Sequence, residues 1–160
     1  MSKNANILIV DDNQENLKVA SAFLREKGYK IALALDGSSA LQIVTSNQID
    51  LILLDIMMPG MDGFEVCRRL KENKETAAIP IIFLTAKNDP EDIVKGFEHG
   101  GVDYITKPLK KEELFARVEC HAKLKLCRDL LRTYSGDNKT SSNSTITILE
   151  EMFTIMDIQN

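Results

Sequence analysis

The stretch DLILLDIMMPGMDG, residues 50–63, decides the architecture. Leu51 to Leu54 form an unbroken apolar run that ends directly in Asp55. A run without polar alternation suits a strand covered on both faces, as in a parallel sheet. Asp62-Gly63 then supplies turn chemistry. Residues 63–72 place Phe64, Val66, Cys67 and Leu70 on one helical stripe. The same strand–turn–helix pattern repeats on both sides. Further strand-length runs are NILIV (6–10), KIALAL (30–35), PIIFLT (80–85) and VDYIT (102–106). Between them, 14–27 carries Leu17, Ala20, Phe23 and Leu24 and ends at Gly28, a residue suited to follow a helix. Segment 38–46 carries Ala40, Leu41 and Val44. Segment 90–98 opens with Asp89-Pro90, a cap followed by proline, and closes before Gly100-Gly101. Five such units in series predict a doubly wound α/β fold: a five-stranded parallel sheet with right-handed crossovers.

Composition narrows the classes. Of 160 residues, 44% are hydrophobic and 28% charged, which is globular and excludes a disordered chain or a fibre. No apolar run approaches the roughly 20 residues that cross a bilayer. The net charge of −4 does not recruit nucleic acid, and neither a helix-turn-helix nor a basic recognition helix is visible, so no direct DNA binding is expected. Cys67, Cys120 and Cys127 form no CxxC pair. The apolar stretch near the N-terminus is too short for a signal peptide, so a cytoplasmic protein with unpaired cysteines is expected.

The polar residues gather at the ends of the apolar runs. The first run leads into Asp11-Asp12, the third into Asp55, the fourth ends at Thr85, and the fifth is followed by Lys107-Pro108. In an open α/β sheet the carboxyl ends of the strands share one edge, where ligands bind. Three carboxylates, a hydroxyl and an ammonium should converge there. Clustered carboxylates attract a cation, and an oxygen-only donor set favours Mg²⁺, with Mn²⁺ as a substitute. The lysine and the hydroxyl suit phosphate oxygens. The inventory matches a phosphoryl group carried on a carboxylate nucleophile. Each residue taken alone reads more simply, as a helix cap, a strand-end threonine or a solvated charge; convergence on one edge is what points to function.

Asp11-Asp12, LLDIMMPGMDG (53–63), LTA (84–86) and DYITKP (103–108) together resemble the receiver domain of two-component response regulators, over residues 5 to about 125. The resemblance implies a flavodoxin-like, chemotaxis-regulator-like sheet of order 2-1-3-4-5 flanked by five helices. It implies that Asp55 is the phosphoacceptor and that Asp11, Asp12, Asp55 and the backbone carbonyl of Met57 hold Mg²⁺. It further implies that Lys107 contacts the phosphoryl group, that Thr85 is the switch hydroxyl, and that Tyr104 is the aromatic that follows it. The Lys107–Pro108 bond is expected to be cis, and Met57 and Lys87 to tune the phosphoryl lifetime. The implied partner is a histidine kinase or a histidine phosphotransfer protein. Turnover beyond self-phosphorylation and autodephosphorylation is not expected. The rivals are a haloacid-dehalogenase-like phosphatase, whose second aspartate is replaced here by Met57, and a phosphorylation-independent scaffold, against which the intact set of site residues argues.

The sequence departs from the family pattern at its C-terminal side. Lys110 stands where a small helix cap is usual and opposes the helix dipole, an effect that Glu112 and Glu113 partly offset. The helical pattern then runs on to about Tyr134, with Cys120, Leu124, Cys127, Leu131 and Tyr134 at coiled-coil spacing. Beyond about residue 123 this helix is expected to project into solvent unless covered. A parallel homodimer through the extended helix is the favoured covering, with fold-back of 146–159 or a further domain as alternatives. The expected organisation is a receiver over 1–125, a helix extension over 126–134, a polar linker over 135–145, and a short apolar helix, or the start of an output region, over 146–160. His99, near a helix end, is read as serving the dipole, and His121 as lacking a phosphorylatable histidine's context.

Overall fold

The computed structural model describes residues 5–86, 90–136, 147, 149–152 and 154–155. Each apolar run becomes a strand: β1 (Asn6–Val10), β2 (Lys30–Ala34), β3 (Leu51–Asp55), β4 (Ile81–Thr85) and β5 (Asp103–Thr106). They alternate with α1 (Gln14–Glu26), α2 (Gly37–Ser46), α3 (Gly63–Glu72), α4 (Pro90–Glu98) and α5 (Lys111–Gly136). All strand pairs are parallel, in the order β2-β1-β3-β4-β5. The fold is therefore the expected flavodoxin-like one.

Side chains alternate across the sheet. Leu8, Val10, Ile52, Leu54, Ile81 and Phe83 face α2 and α3. Ile7, Ile9, Leu51, Leu53, Ile82 and Leu84 face α1 and α5, where Leu17, Leu24, Leu114 and Val118 meet them. Burying each such Ile or Leu contributes about 1.5–3 kcal/mol. The central strands are thus held by side chains from both layers, which fixes their register and the positions of their ends.

Short polar side chains start the helices. Asn13 caps α1, Asp36 caps α2 and Asp62 caps α3, each accepting backbone N–H groups of the first turn. Asp62 thus belongs to the helix start, a more specific role than the turn read from sequence. Pro80 has no N–H to give, and β4 begins one residue later, at Ile81.

The long helix departs from expectation. Ala122 and Cys127 are buried against the domain, while Cys120, Leu124 and Leu131 are exposed. The buried stripe Leu114, Val118 and Ala122 advances in four-residue steps and rotates around the helix; a heptad seam would average 3.5. Beyond residue 123 the helix stays with the domain: Lys125 reaches Asp50, just ahead of β3, at 3.5 Å, and Asp129 at 2.7 Å. Helix α5 runs through Gly136, two residues into the expected linker, whose remainder lies outside the described residues. The described residues between 147 and 155 are helical.

Candidate functional site

The parallel order sets the ends of β1, β3 and β4 side by side. Asp11 follows β1 by one residue and continues the ladder, its N–H donating to Ala34 O at 3.1 Å. It is fully buried, whereas Asp12 is exposed. Asp55 closes β3 and is also buried. Lys107 follows β5, tied to β4 by its N–H to Thr85 O at 2.7 Å. Its Nζ lies 2.7 Å from Asp11 Oδ2 and 3.2 Å from Asp55 Oδ1.

Carboxylate oxygens of Asp11, Asp12 and Asp55 lie within 4.8 Å of one another. Among the described residues, three acidic groups against one ammonium leave the cluster short of positive charge. Asp55 registers this: burial pushes its carboxyl up to about 6, Asp11 adds to the rise, and Lys107 opposes it. Burial pulls the Lys107 ammonium down, yet Asp11 and Asp55 outweigh it and hold its pKa above the ordinary lysine value. A cluster of hard oxygen donors with unmet negative charge fits Mg²⁺ or Mn²⁺ and does not fit a thiophilic metal.

The loop after β3 is shaped around Asp55. Met57 N–H points to Asp55 Oδ1 at 3.3 Å, and the Met57 side chain is 73% exposed at the rim. Gly63 lies so close behind that a Cβ there would sit 2.3 Å from the Asp55 carbonyl oxygen. Only glycine lets α3 start at this distance. Thr85 is buried at the end of β4, beside Leu84, which is in register with Asp55. Tyr104, in register with Phe83, is half-buried and meets Phe97 edge-on at 6.4 Å. The Lys107–Pro108 bond is cis. Lys87 lies outside the described residues. The structure therefore gathers Asp11, Asp12, Asp55 and Lys107 directly, with Met57 and Thr85 alongside and Tyr104 one strand over.

Two groups escaped the sequence reading. Asn16 donates its Nδ2 to Asp11 Oδ2 at 3.1 Å. Asp103 accepts from Arg117 Nη1 on both oxygens at 3.0 Å, and His121 Nε2 lies 3.0 Å from Asp103 Oδ2. His121 thus fastens α5 to β5. His99 does serve a helix end, its Nδ1 lying 2.7 Å from Lys95 O.

The family model described as "Response regulator receiver domain" matches residues 7–119. The chain belongs to the response regulator receiver family. Among curated relatives of this receiver, "Response regulator PleD" of Caulobacter vibrioides is 43% identical over 129 residues, covering 81% of the chain but 28% of that protein. "Transcriptional regulatory protein YvrH" of Bacillus subtilis is 42% identical over 146 residues, covering 91% of the chain and 56% of that protein. The chain therefore spans only part of the length of such relatives. A solved putative response regulator from Chloroflexus aurantiacus superposes with a TM-score of 0.72 at 35% identity, covering 74% of this chain and 98% of that one. The receiver domain of a histidine kinase from Syntrophus aciditrophicus gives 0.69 at 34% identity, covering 86% and 96%. Membership of this family supports a phosphoacceptor signalling role. Among the described residues no helix is long and apolar enough to cross a membrane.

Proposed function

We propose that Asp55 takes a phosphoryl group from a histidine kinase or histidine phosphotransfer protein. The observation that carries this reading is the charge deficit of Asp11, Asp12 and Asp55 against the ammonium of Lys107 among the described residues. Mg²⁺, held by Asp11, Asp12, Asp55 and the Met57 carbonyl, would supply charge neutralisation for the transfer. Lys107 and the Met57 N–H both engage Oδ1 of Asp55, which leaves Oδ2 as the nucleophile. Its lone pair forms the new O–P bond, and the P–N bond to the donor imidazole breaks with its electron pair leaving on nitrogen. Lys107 then turns from the carboxylates to a phosphoryl oxygen.

Thr85 and Tyr104 carry the new charge outward to the face built from α4, β5 and α5. Val94 and Phe97, exposed at 55% and 48%, stand on α4 and offer a partner something apolar to read. Exposed Leu124 and Leu131 support self-association through α5 as a second output. The receiver is assigned to 1–125, with 126–134 as its helical extension and 146–160 as a short apolar tail.

Incubation with Mg²⁺ and acetyl phosphate should add one phosphoryl group by intact mass, lost in Asp55→Asn. Light scattering on the same samples should show a shift toward dimer in the phosphorylated parent alone. Absence of the added mass, from this donor and from a phosphorylated phosphotransfer protein alike, overturns the reading. Met57 is apolar and cannot orient a hydrolytic water, so the acyl phosphate should last minutes or longer. Complete loss of label within seconds would refute that part.

A further inference from the structure

We propose that Asn16 is a positioning residue of the cation site. It holds the Asp11 carboxylate in place while Lys107 moves from the carboxylates to the phosphoryl group. The proposal rests on the reading of Asp55 as phosphoacceptor with Mg²⁺ at the acidic cluster.

A carboxylate offers about four acceptor sites, two on each oxygen. Asp11 Oδ1 receives the backbone N–H of Asn13 at 2.9 Å. Oδ2 receives Asn16 Nδ2 at 3.1 Å and Lys107 Nζ at 2.7 Å. The Asn13 and Asn16 donors are fixed by the first turn of α1, because the Asn13 side chain in turn accepts the Glu15 and Asn16 N–H groups at 2.9 and 3.3 Å. Lys107 sits on a flexible four-carbon stem and already divides itself between Asp11 and Asp55.

The difference matters once a phosphoryl group draws Lys107 away. Without Asn16, Asp11 would then keep one protein donor, the Asn13 N–H on Oδ1, and the terminal torsion of an aspartate is broad and roughly two-fold. With Asn16, both oxygens stay anchored, and the remaining lone pairs keep their direction toward the cluster. The residue type follows from the charges. A lysine or arginine at 16 would compete with the cation, and an aspartate would add a fourth carboxylate. A neutral amide orients Asp11 and leaves the net charge of the site unchanged. A carboxylate only accepts, so the amide must present its nitrogen.

The test is calorimetric titration of Mg²⁺ into the parent, Asn16→Leu and Asn16→Gln, beside thermal unfolding without Mg²⁺. Leucine matches asparagine in shape and lacks the donor; glutamine keeps it. Asn16→Leu should weaken Mg²⁺ binding about tenfold, the usual consequence of losing a partner of a metal ligand, and Asn16→Gln should recover most of it. Acetyl phosphate labelling of Asn16→Leu should need correspondingly more Mg²⁺ than that of the parent. Parent-like Mg²⁺ affinity in Asn16→Leu overturns the proposal, also when that variant melts earlier, since the residue would then be merely structural. If the parent itself binds no Mg²⁺, the metal-site reading falls and the proposal with it.

Discussion

Asp55 at the end of β3 and Asp103 at the start of β5 both pair with a basic residue from the C-terminal third of the chain. Their surroundings differ in charge balance. Around Asp55, Asp11 and Asp55 share Lys107, and Asp12 adds a third carboxylate to the cluster. Around Asp103, Arg117 bridges both oxygens, and His121 and the Tyr104 N–H add donors, while Glu113 lies 3.3 Å from Arg117. The two carboxyls respond in opposite directions. Burial and Asp11 drive Asp55 up to about 6. Burial also pushes Asp103 up, but its hydrogen bonds with His121, Tyr104 and Arg117 win and hold it below the ordinary aspartate value. The group proposed to receive a cation and a phosphoryl is left under-compensated, whereas the group that fastens a helix is saturated.

The sharpest way to break this contrast is to remove the compensating charge of Lys107. Lys107→Ala should slow phosphoryl incorporation from acetyl phosphate about 100-fold, read by a mass time course. A rate near that of the parent would mean that the ammonium is incidental. Next, Asp55→Asn in Mg²⁺-free buffer should gain about 2 kcal/mol of stability in urea unfolding, since it removes a buried charge that repels Asp11. Added Mg²⁺ should narrow the gap, because only the parent keeps all three carboxylates. A loss of stability would show that the cluster is already balanced. Asp103→Asn should act oppositely and cost about 1–2 kcal/mol by weakening the Arg117 and His121 bonds. The folded pKa of Asp103 lies below its unfolded value of about 3.9, so its contribution is complete above that pH and fades as pH falls through the folded pKa. The difference between parent and Asp103→Asn should therefore shrink below about pH 4. A difference independent of pH would sink the ionic explanation.

The fold and the main site residues were legible because a parallel sheet turns sequence position into spatial position. A polar residue directly after a buried run must appear at the carboxyl edge, and Asp11, Asp55, Thr85 and Lys107 all did. Asn16 was hidden because an asparagine in the first turn of a helix reads as capping chemistry, and its actual partner is set by where α1 leaves the sheet. The Asp103 clasp joins residues 14 and 18 positions apart, and only the packing of α5 on β5 brings them together. The path of the extended helix was less legible, because spacing alone does not say which residues the domain itself covers: Cys127 is buried, whereas Leu124 and Leu131 stay exposed.

Gly63 has a consequence for how a signal leaves the site. With α3 pressed against the Asp55 carbonyl, the backbone behind the acceptor rests on an anvil that leaves no room even for a methyl group. If Asp55 takes a phosphoryl group as proposed, the chain cannot recoil there, and movement goes sideways, through Lys107 and Thr85 toward β5, where Tyr104 and Phe97 meet edge-on. A rigid backstop on one flank gives the response its direction.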